Sequence, residues 1–136
     1  DLSVGRHAPR GALAVELTIC GRTDHVLNTH LGLWPRERPQ QADRLLELLA
    51  LSRRGLTILM GDLNEWHGWG KSLRGLRPVF GSPAAPVTFP ARWPVLALDR
   101  IWIFPAQALL TVEAHDTPRS RLASDHLPVK ADIYLP

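Results

Sequence analysis

Two short stretches of this sequence bring acidic, amide and imidazole side chains close together. Asp62 and Asn64 are separated by one residue, and Asp125 directly precedes His126. A carboxylate only accepts hydrogen bonds, whereas a carboxamide also donates two, so the first pair can hold an attacking water and a phosphate oxygen together. Histidine is the side chain most easily poised to exchange a proton near neutral pH. The two stretches therefore have the residue types needed for acid–base chemistry on a bound water.

Some of these positions also admit structural interpretations. Asp62 and Asn64 follow an apolar strand and can form an Asx-turn, in which side-chain oxygens cap backbone groups. In extended chain, residues two apart project to the same side, and the carboxyl end of a strand is where α/β sheets place ligands. His30 ends another strand, and a lone histidine there is more typical of a core or rim residue. The sequence alone leaves both interpretations open.

Asp99 stands within the otherwise apolar stretch Val95–Phe104 and therefore needs a partner. A buried carboxylate without one costs several kcal/mol of folding free energy. One candidate partner is His126, because a buried carboxylate commonly holds a histidine in one tautomer. The alternative is a structural salt bridge to Arg92 or Arg100.

Six apolar stretches predict strands and one predicts a helix. The predicted strands are Ala12–Ile19, His25–Leu31, Leu56–Met60, Leu96–Phe104, Leu109–His115 and Leu127–Leu135. In Pro39–Arg53, apolar residues recur at i, i+3, i+4, i+7 and i+8, which is typical of a helix with one buried stripe. The first two strands form a hairpin around a turn at Gly21–Asp24. Trp66–Val87 is predicted to be loop, with one helical turn near Lys71–Arg74.

These elements predict an α/β fold, in which a mostly antiparallel or mixed sheet carries one main helix on one face. A single sheet layer of this kind leaves its second face uncovered. The sequence has too few further apolar elements to cover that face. We therefore expect a second layer that comes from outside these elements.

The composition of these 136 residues indicates one globular domain and excludes several other classes. Apolar residues make up 45% and charged residues 21%, which excludes a disordered chain. No stretch approaches the roughly 18 consecutive apolar residues of a transmembrane segment. The single cysteine, Cys20, excludes an internal disulfide and is expected to be buried. A net charge of +3 is compatible with phosphate-bearing partners. The compartment stays undetermined, with the cytoplasm favoured.

Three tryptophans accompany these stretches, namely Trp66, Trp69 and Trp93. Exposed aromatic side chains of this kind can stack on a nucleobase, and tryptophan also enters lipid surfaces. Packing in the core or at its rim is the use that we expect for each. Arg92 and Arg100 could contact substrate. The alternative is that they are solvated or structural arginines.

Five short motifs follow one another along the chain. They are Thr29-His30-Leu31, Gly61-Asp62-Leu63-Asn64, Thr88-Phe89, Leu98-Asp99-Arg100-Ile101 and Ser124-Asp125-His126-Leu127-Pro128. Their content and order resemble the later motifs of the endonuclease/exonuclease/phosphatase family, and in detail its uncharacterised bacterial members. The resemblance implies half of a DNase I-like four-layer α/β sandwich. Residues 1–136 would then be a single partial domain, and the absent amino-terminal half would supply an Asn and a metal-binding Glu.

The resemblance also implies an activity, which is hydrolysis of a phosphodiester with Mg²⁺ or Mn²⁺. The substrate would be a nucleic acid or a phospholipid headgroup. Asp125 would be the carboxylate of this chain nearest the metal. Asp62 would orient or deprotonate the attacking water, and Asn64 would hold that water or a phosphate oxygen.

The remaining implied roles concern the phosphate itself. His126, steadied by Asp99, would donate to a non-bridging oxygen or act as acid or base, and His30 would also contact the phosphate. The alternative is a non-catalytic half-domain that serves as a binding or structural module, inactive without the metal-binding Glu of the other half.

Overall fold

A computed structural model of the chain describes residues 1–5, 8–50 and 55–135, with the mixed α/β architecture that the sequence predicts. Its elements, in chain order, are β1 (Ala12–Ile19), β2 (Arg22–His30), α1 (Arg38–Ala50), β3 (Thr57–Asp62), α2 (Lys71–Phe80), β4 (Asp99–Phe104), a one-turn 3₁₀ helix (Ala106–Ala108), β5 (Leu109–Ala114), α3 (Ser120–Ala123) and β6 (Val129–Ile133). All six predicted strands are present, and none of their ends is displaced by more than three residues. Helix α1 begins one residue earlier than predicted, and its predicted end at Arg53 lies outside the described residues. In the described ranges, none of the helices has the length and apolar character needed to cross a membrane.

The first four strands form one mixed sheet in the order β1-β2-β3-β4. β1 and β2 are an antiparallel hairpin, β2 and β3 are parallel, and β3 and β4 are antiparallel. A parallel pair needs a long crossover connection, and α1 supplies it between β2 and β3. β5 and β6 form a second, two-stranded sheet. The carboxyl ends of β2 and β3 therefore lie at one edge of the large sheet, beside the start of β4.

One face of the large sheet is covered by α1 and α2. Leu27, Leu59 and Trp102 are neighbours across three strands on this face, and each is at most 4% exposed. They belong to one core cluster with six apolar residues of the two helices, which are Ala42, Leu45, Leu49, Leu73, Leu76 and Phe80. The apolar stripe predicted for α1 therefore faces the sheet.

The opposite face of the large sheet is covered only at one side. A second cluster around Leu56, Ile103 and Ala108 joins β3 and β4 to the two-stranded sheet. On β1, alternate apolar side chains project from the same face and are 39–63% exposed, namely Leu13, Val15, Leu17 and Ile19. The uncovered face that the sequence predicts is thus an apolar stripe along β1.

The hairpin between β1 and β2 turns earlier than predicted. Ile19 pairs with Arg22, so only Cys20 and Gly21 form the loop, and both have positive φ, at 52° and 77°. Two-residue hairpin loops of this kind match the twist of the flanking strands. The predicted turn at Gly21–Asp24 is therefore wrong. The expected burial of Cys20 is also wrong, because a side chain at a hairpin tip faces solvent.

The stretch predicted to be loop contains a ten-residue helix, α2 (Lys71–Phe80). Gly75 and Pro78 are both poor helix formers, and they concealed it in the sequence. The spacing of the buried residues Leu73, Leu76 and Phe80 is helical, and these side chains pack against α1 and the sheet. Tertiary packing thus outweighs the weak local propensity, and the prediction of one turn at Lys71–Arg74 was too short.

We expect Leu45→Ala to lower the free energy of unfolding by about 2–5 kcal/mol, because it leaves a cavity between helix and sheet. Leu48 lies on the same helix but is 40% exposed, whereas Leu45 is fully buried. Leu48→Ala should therefore cost less than about 1 kcal/mol. Urea unfolding followed by circular dichroism measures both changes. Equal losses in the two variants would contradict the packing of α1 described above.

Candidate active site

Three of the predicted site residues lie side by side at the edge of the large sheet. His30 at the end of β2 pairs with Asp62 at the end of β3, and Asp62 pairs with Asp99 at the start of β4. Directly opposite residues project from the same face of a sheet, and here it is the face away from α1 and α2. His30 Nε2 lies 3.4 Å from Asp62 Oδ2. Asp62 ends β3 rather than following it, because β3 extends two residues beyond its predicted end.

His126 joins this row from the loop that precedes β6. Its Nδ1 lies 2.7 Å from Asp99 Oδ2, so the partner of Asp99 is the histidine and not an arginine salt bridge. A carboxylate only accepts, so Nδ1 carries the hydrogen and donates it. Thr88 is fully buried and donates a second hydrogen bond of 2.6 Å to the same Asp99 oxygen.

Backbone hydrogen bonds fix the loop that carries His126. Leu127 N donates to Thr88 O at 2.9 Å, and Ala91 N donates to Asp125 O at 2.7 Å. The Phe89 ring packs against the imidazole of His126 with ring centroids 4.8 Å apart. The Thr88-Phe89 motif, together with Ala91 just after it, thus holds both the histidine and its carboxylate partner.

Opposing effects act on the pKa of His126, and their sum raises it above the ordinary value. Partial burial lowers this pKa, because it disfavours the charged ring. The hydrogen bond and the charge of Asp99 raise it, and the charges of Asp62 and Asp125 add to this effect. These interactions stabilise the fold fully below the ordinary pKa of histidine, and that stabilisation is lost as the pH rises through the raised pKa.

Asp62 and Asn64 form the Asx-turn that the sequence left open. Asn64 N donates to Asp62 Oδ1 at 2.8 Å. Asn64 is 4% exposed with φ of 50°, and its Nδ2 donates to Leu31 O at 2.9 Å. Leu63, between Asp62 and Asn64, points the other way into the core. The side chain of Asn64 therefore ties the end of β3 to the end of β2, and its contact with a substrate stays a prediction.

A buried ion pair between Arg38 and Glu65, which the sequence did not predict, lies directly after this turn. Glu65 accepts from Arg38 Nη2 at 3.3 Å and from Ser72 Oγ at 2.7 Å, and all three residues are buried. A Cβ at Gly70 would overlap the Glu65 side chain, so only glycine allows this close approach. Glu65 thereby links the loop after β3 to the first turns of α1 and α2.

The side chains at this edge suit a hard divalent cation. One ligand atom each from Asp62, Asp99 and His126 lies within 4.8 Å of the others. Mg²⁺ binds oxygen ligands, often one or two carboxylates, and keeps several waters. Asp125 lies next to His126 with an exposed carboxylate, 3.3 Å from Ser124 Oγ. Asp62 and Asp99 thus offer two carboxylates that suit Mg²⁺ or Mn²⁺, whereas Asp125, the predicted metal ligand, is exposed and is not part of this cluster.

A cleft of about 410 Å³ opens beside these residues. Its lining includes Asn28 and Met60 of the uncovered sheet face together with Asp99 and His126. The three tryptophans expected in the core or at its rim are instead 61–79% exposed, namely Trp66, Trp69 and Trp93. That expectation was wrong, because loops rather than strands carry all three.

Residues 4–126 match the family described as Endonuclease/Exonuclease/phosphatase family. This range contains every predicted site residue. The chain belongs to this family. The chain is also similar to the uncharacterized protein YbhP of Escherichia coli strain K12, to which it is 34% identical over 146 residues. The alignment covers 99% of this chain and 56% of YbhP. The predicted resemblance to uncharacterised bacterial members of the family is thus confirmed.

Two solved structures show the family fold. The endonuclease/exonuclease/phosphatase from Bacteroides vulgatus is 18% identical with a TM-score of 0.71, covering 86% of this chain and 51% of its own. Beta toxin from Staphylococcus aureus, in a mutant with bound magnesium ions, is 16% identical with a TM-score of 0.70, covering 92% of this chain and 58% of its own. The DNase I-like fold class is therefore confirmed. The chain spans about half the length of the family members that it matches.

We expect Asp99→Asn to lower the pKa of His126, because it removes the charge and weakens the hydrogen bond while burial remains. Nuclear magnetic resonance titration of the imidazole, in the presence of a chelator, measures this pKa. Asp43→Asn changes an exposed carboxylate on α1 and should leave it unchanged. The same titration midpoint in wild type and Asp99→Asn would contradict the coupling.

Proposed function

We propose that the protein of which this chain is part hydrolyses a phosphodiester with the help of Mg²⁺ or Mn²⁺. The observation that carries this proposal is the cluster of Asp62, Asp99 and His126 at the sheet edge. Membership of the family supports the reaction class, since its description names nucleases and phosphatases. Hydrolysis of such an ester needs a positioned water and preorganised donors for the charge on the phosphoryl oxygens.

Asp62 orients the attacking water and accepts its proton in this proposal. The water oxygen bonds to phosphorus from the side opposite the leaving oxygen, whose bond to phosphorus breaks and which then takes up a proton. Asp62 is suited to the task because Asn64 N holds Oδ1, while Oδ2 faces His30. Asn64 keeps the carboxylate in place and is the amide nearest the water.

His126 acts as the hydrogen-bond donor to a non-bridging phosphate oxygen. The interactions that raise its pKa favour the charged ring, which donates from Nε2 while Nδ1 stays bonded to Asp99. A donor aimed at the phosphoryl oxygens stabilises negative charge where it develops. This assignment makes Asp62, rather than His126, the general base. His30 is exposed at the same edge and is the second contact to the phosphate.

Asp125 is the carboxylate of this chain that we assign to the divalent metal. A bound Mg²⁺ or Mn²⁺ supplies positive charge that offsets the charge of the phosphate. The remaining protein ligand is the Glu that the family resemblance places in a preceding half of the domain. A neighbour of similar fold, beta toxin, binds magnesium ions.

A second sheet covers the apolar stripe of β1 in the active protein. Leu13, Val15, Leu17 and Ile19 would otherwise leave an apolar strip in water. An amino-terminal half of the domain is the covering layer that we propose, and a second copy of the chain is the alternative. Substrates compatible with the exposed cleft are nucleic acids and phospholipid headgroups. A non-catalytic binding module remains the competing function, and turnover decides between the two.

Asp62→Ala and His126→Ala should each lower kcat at least about 100-fold in the complete protein, because each removes a group that acts on water or phosphate. Hydrolysis of a generic phosphodiester, bis(p-nitrophenyl) phosphate, is measured with Mg²⁺ and again with chelator. Asp43→Ala alters an exposed residue of α1 and should keep the wild-type rate. Rates close to wild type in both site variants would refute these roles.

The 136 residues by themselves should show no Mg²⁺-dependent hydrolysis above background. The reason is that the main metal ligand implied by the resemblance and the second sheet both lie outside these residues. The assay compares this chain with the complete protein at equal concentration, after circular dichroism has established that both are folded. Robust Mg²⁺-dependent turnover by the 136-residue chain would show that its own carboxylates suffice.

A further inference from the structure

A second cavity, of about 930 Å³, lies at the same end of the large sheet as the candidate active site, between two loops on the side of α1 and α2. One loop leaves the end of β2 after His30, and the other leaves the end of β3 after Asp62. The first turns of α1 and α2 complete the walls. None of the roles proposed for the catalytic residues uses this cavity, which we call the loop cavity.

Exposed aromatic side chains line the loop cavity on both loops. Trp34 is 60% exposed and Trp66 is 61% exposed, whereas the core tryptophan Trp102 is 2% exposed. Leu33 adds an apolar surface that is 65% exposed. Indole rings held on the walls of a concave site offer flat faces to a flat ligand, and stacking on such rings accepts any base.

The charge of the loop cavity is positive. Its lining contains three cationic side chains, Arg36, Arg38 and Lys71, but one carboxylate, that of Glu65. Glu65 already accepts from Arg38, so Arg36 and Lys71 set the net charge, and both are exposed. A ligand that fits this lining combines a flat apolar group with negative charge.

The loop cavity lies within reach of the catalytic cluster. Trp34 is four residues beyond His30, and Trp66 is four residues beyond Asp62. Four residues of extended chain span at most about 14 Å. The hydrogen bond from Asn64 Nδ2 to Leu31 O joins the two loops where they start. A ligand in the cavity can therefore be continuous with a phosphate at the cluster, across a few units of a nucleic acid strand.

We propose that the loop cavity binds a base of single-stranded nucleic acid a few units along the strand from the phosphate that is cleaved. The proposal rests on the function proposed above and narrows its substrate class. Trp34 and Trp66 stack on the base, and Arg36 and Lys71 neutralise neighbouring phosphates. A lipid surface is the poorer match, because interfacial tryptophans must project into the bilayer whereas these line a cavity.

Binding of fluorescein-labelled 12-nucleotide single strands, one of DNA and one of RNA, tests the proposal by fluorescence anisotropy. The complete protein is used with chelator present, so that no cleavage intervenes. Trp34→Ala and Trp66→Ala should each raise Kd roughly 5- to 150-fold for the strand that binds. Tyr134 beyond β6 is 58% exposed and does not line the cavity, so Tyr134→Ala is the matched control and should leave Kd unchanged. Lys71→Gln should reduce the slope of log Kd against log salt by about 1.

The outcomes separate this proposal from the one on which it rests. Weaker strand binding in both tryptophan variants, with hydrolysis of bis(p-nitrophenyl) phosphate retained, supports the loop cavity as the base site. Hydrolysis of that small substrate by a wild-type protein that binds neither strand overturns the base site and leaves the reaction class standing. Strand binding that depends on both tryptophans without any hydrolysis overturns the reaction class alone. Sedimentation with anionic phospholipid vesicles that needs Trp34 and Trp66, with strand binding unaffected by them, overturns the base site in favour of a lipid surface.

Discussion

Cross-strand pairing sets His30, Asp62 and Asp99 side by side, and the remainder of the candidate site depends on this register. Side chains alternate between the faces of a strand, so a slip of one residue would turn one of the three toward the helices. The buried partners Leu27, Leu59 and Trp102 resist such a slip, because it would move their side chains out of the core between sheet and helices. Packing on one face of the sheet therefore determines the chemistry on the other.

The site gathers like charges that a purely structural region would keep apart. Asp62 and Asp99 are directly opposite each other, an arrangement that is unfavourable for two carboxylates. His30 and His126 offset this repulsion, since each lies against one of the two carboxylates. Thr88 adds a buried donor to Asp99. The two adjacent carboxylates thus lower the stability of this edge, but they concentrate negative charge that suits a cation. Departures of this kind from the usual pairing preferences are expected at functional sites.

The sequence predicted most of the regular elements, because their apolar patterns match the period of a strand or a helix. It failed at α2, where Gly75 and Pro78 lower the local helix propensity and only packing against α1 restores the helix. It also failed at Cys20, because an apolar neighbourhood in the chain does not reveal a hairpin tip. Local pattern carries no information on contacts that form only when distant segments fold together.

The same distinction applies to the candidate site. The pairing of Asp99 with His126 was one of two alternatives in the sequence, and a charge rule alone could not choose between histidine and arginine. The Thr88-Phe89 motif was recognised in the sequence, but no role was assigned to it, so the hydrogen bond from Thr88 to Asp99 was not predicted. The ion pair of Arg38 and Glu65 joins residues 27 positions apart and had no signal in the sequence. Residue types identified the candidate site residues, whereas the groups that support them required the structure.

The hydrogen bond between Asn64 and Leu31 divides the loop after β2 and the loop after β3 each into two parts. Residues before this hydrogen bond, such as His30 and Asp62, belong to the paired ends of β2 and β3. Residues beyond it include the exposed Trp34 and Trp66. This hydrogen bond marks a boundary for loop exchange in the laboratory. A graft that starts after residue 32 or after residue 65 leaves His30, Asp62 and the bond from Asn64 to Leu31 intact. Divergence of substrate preference on a constant reaction can proceed by the same route.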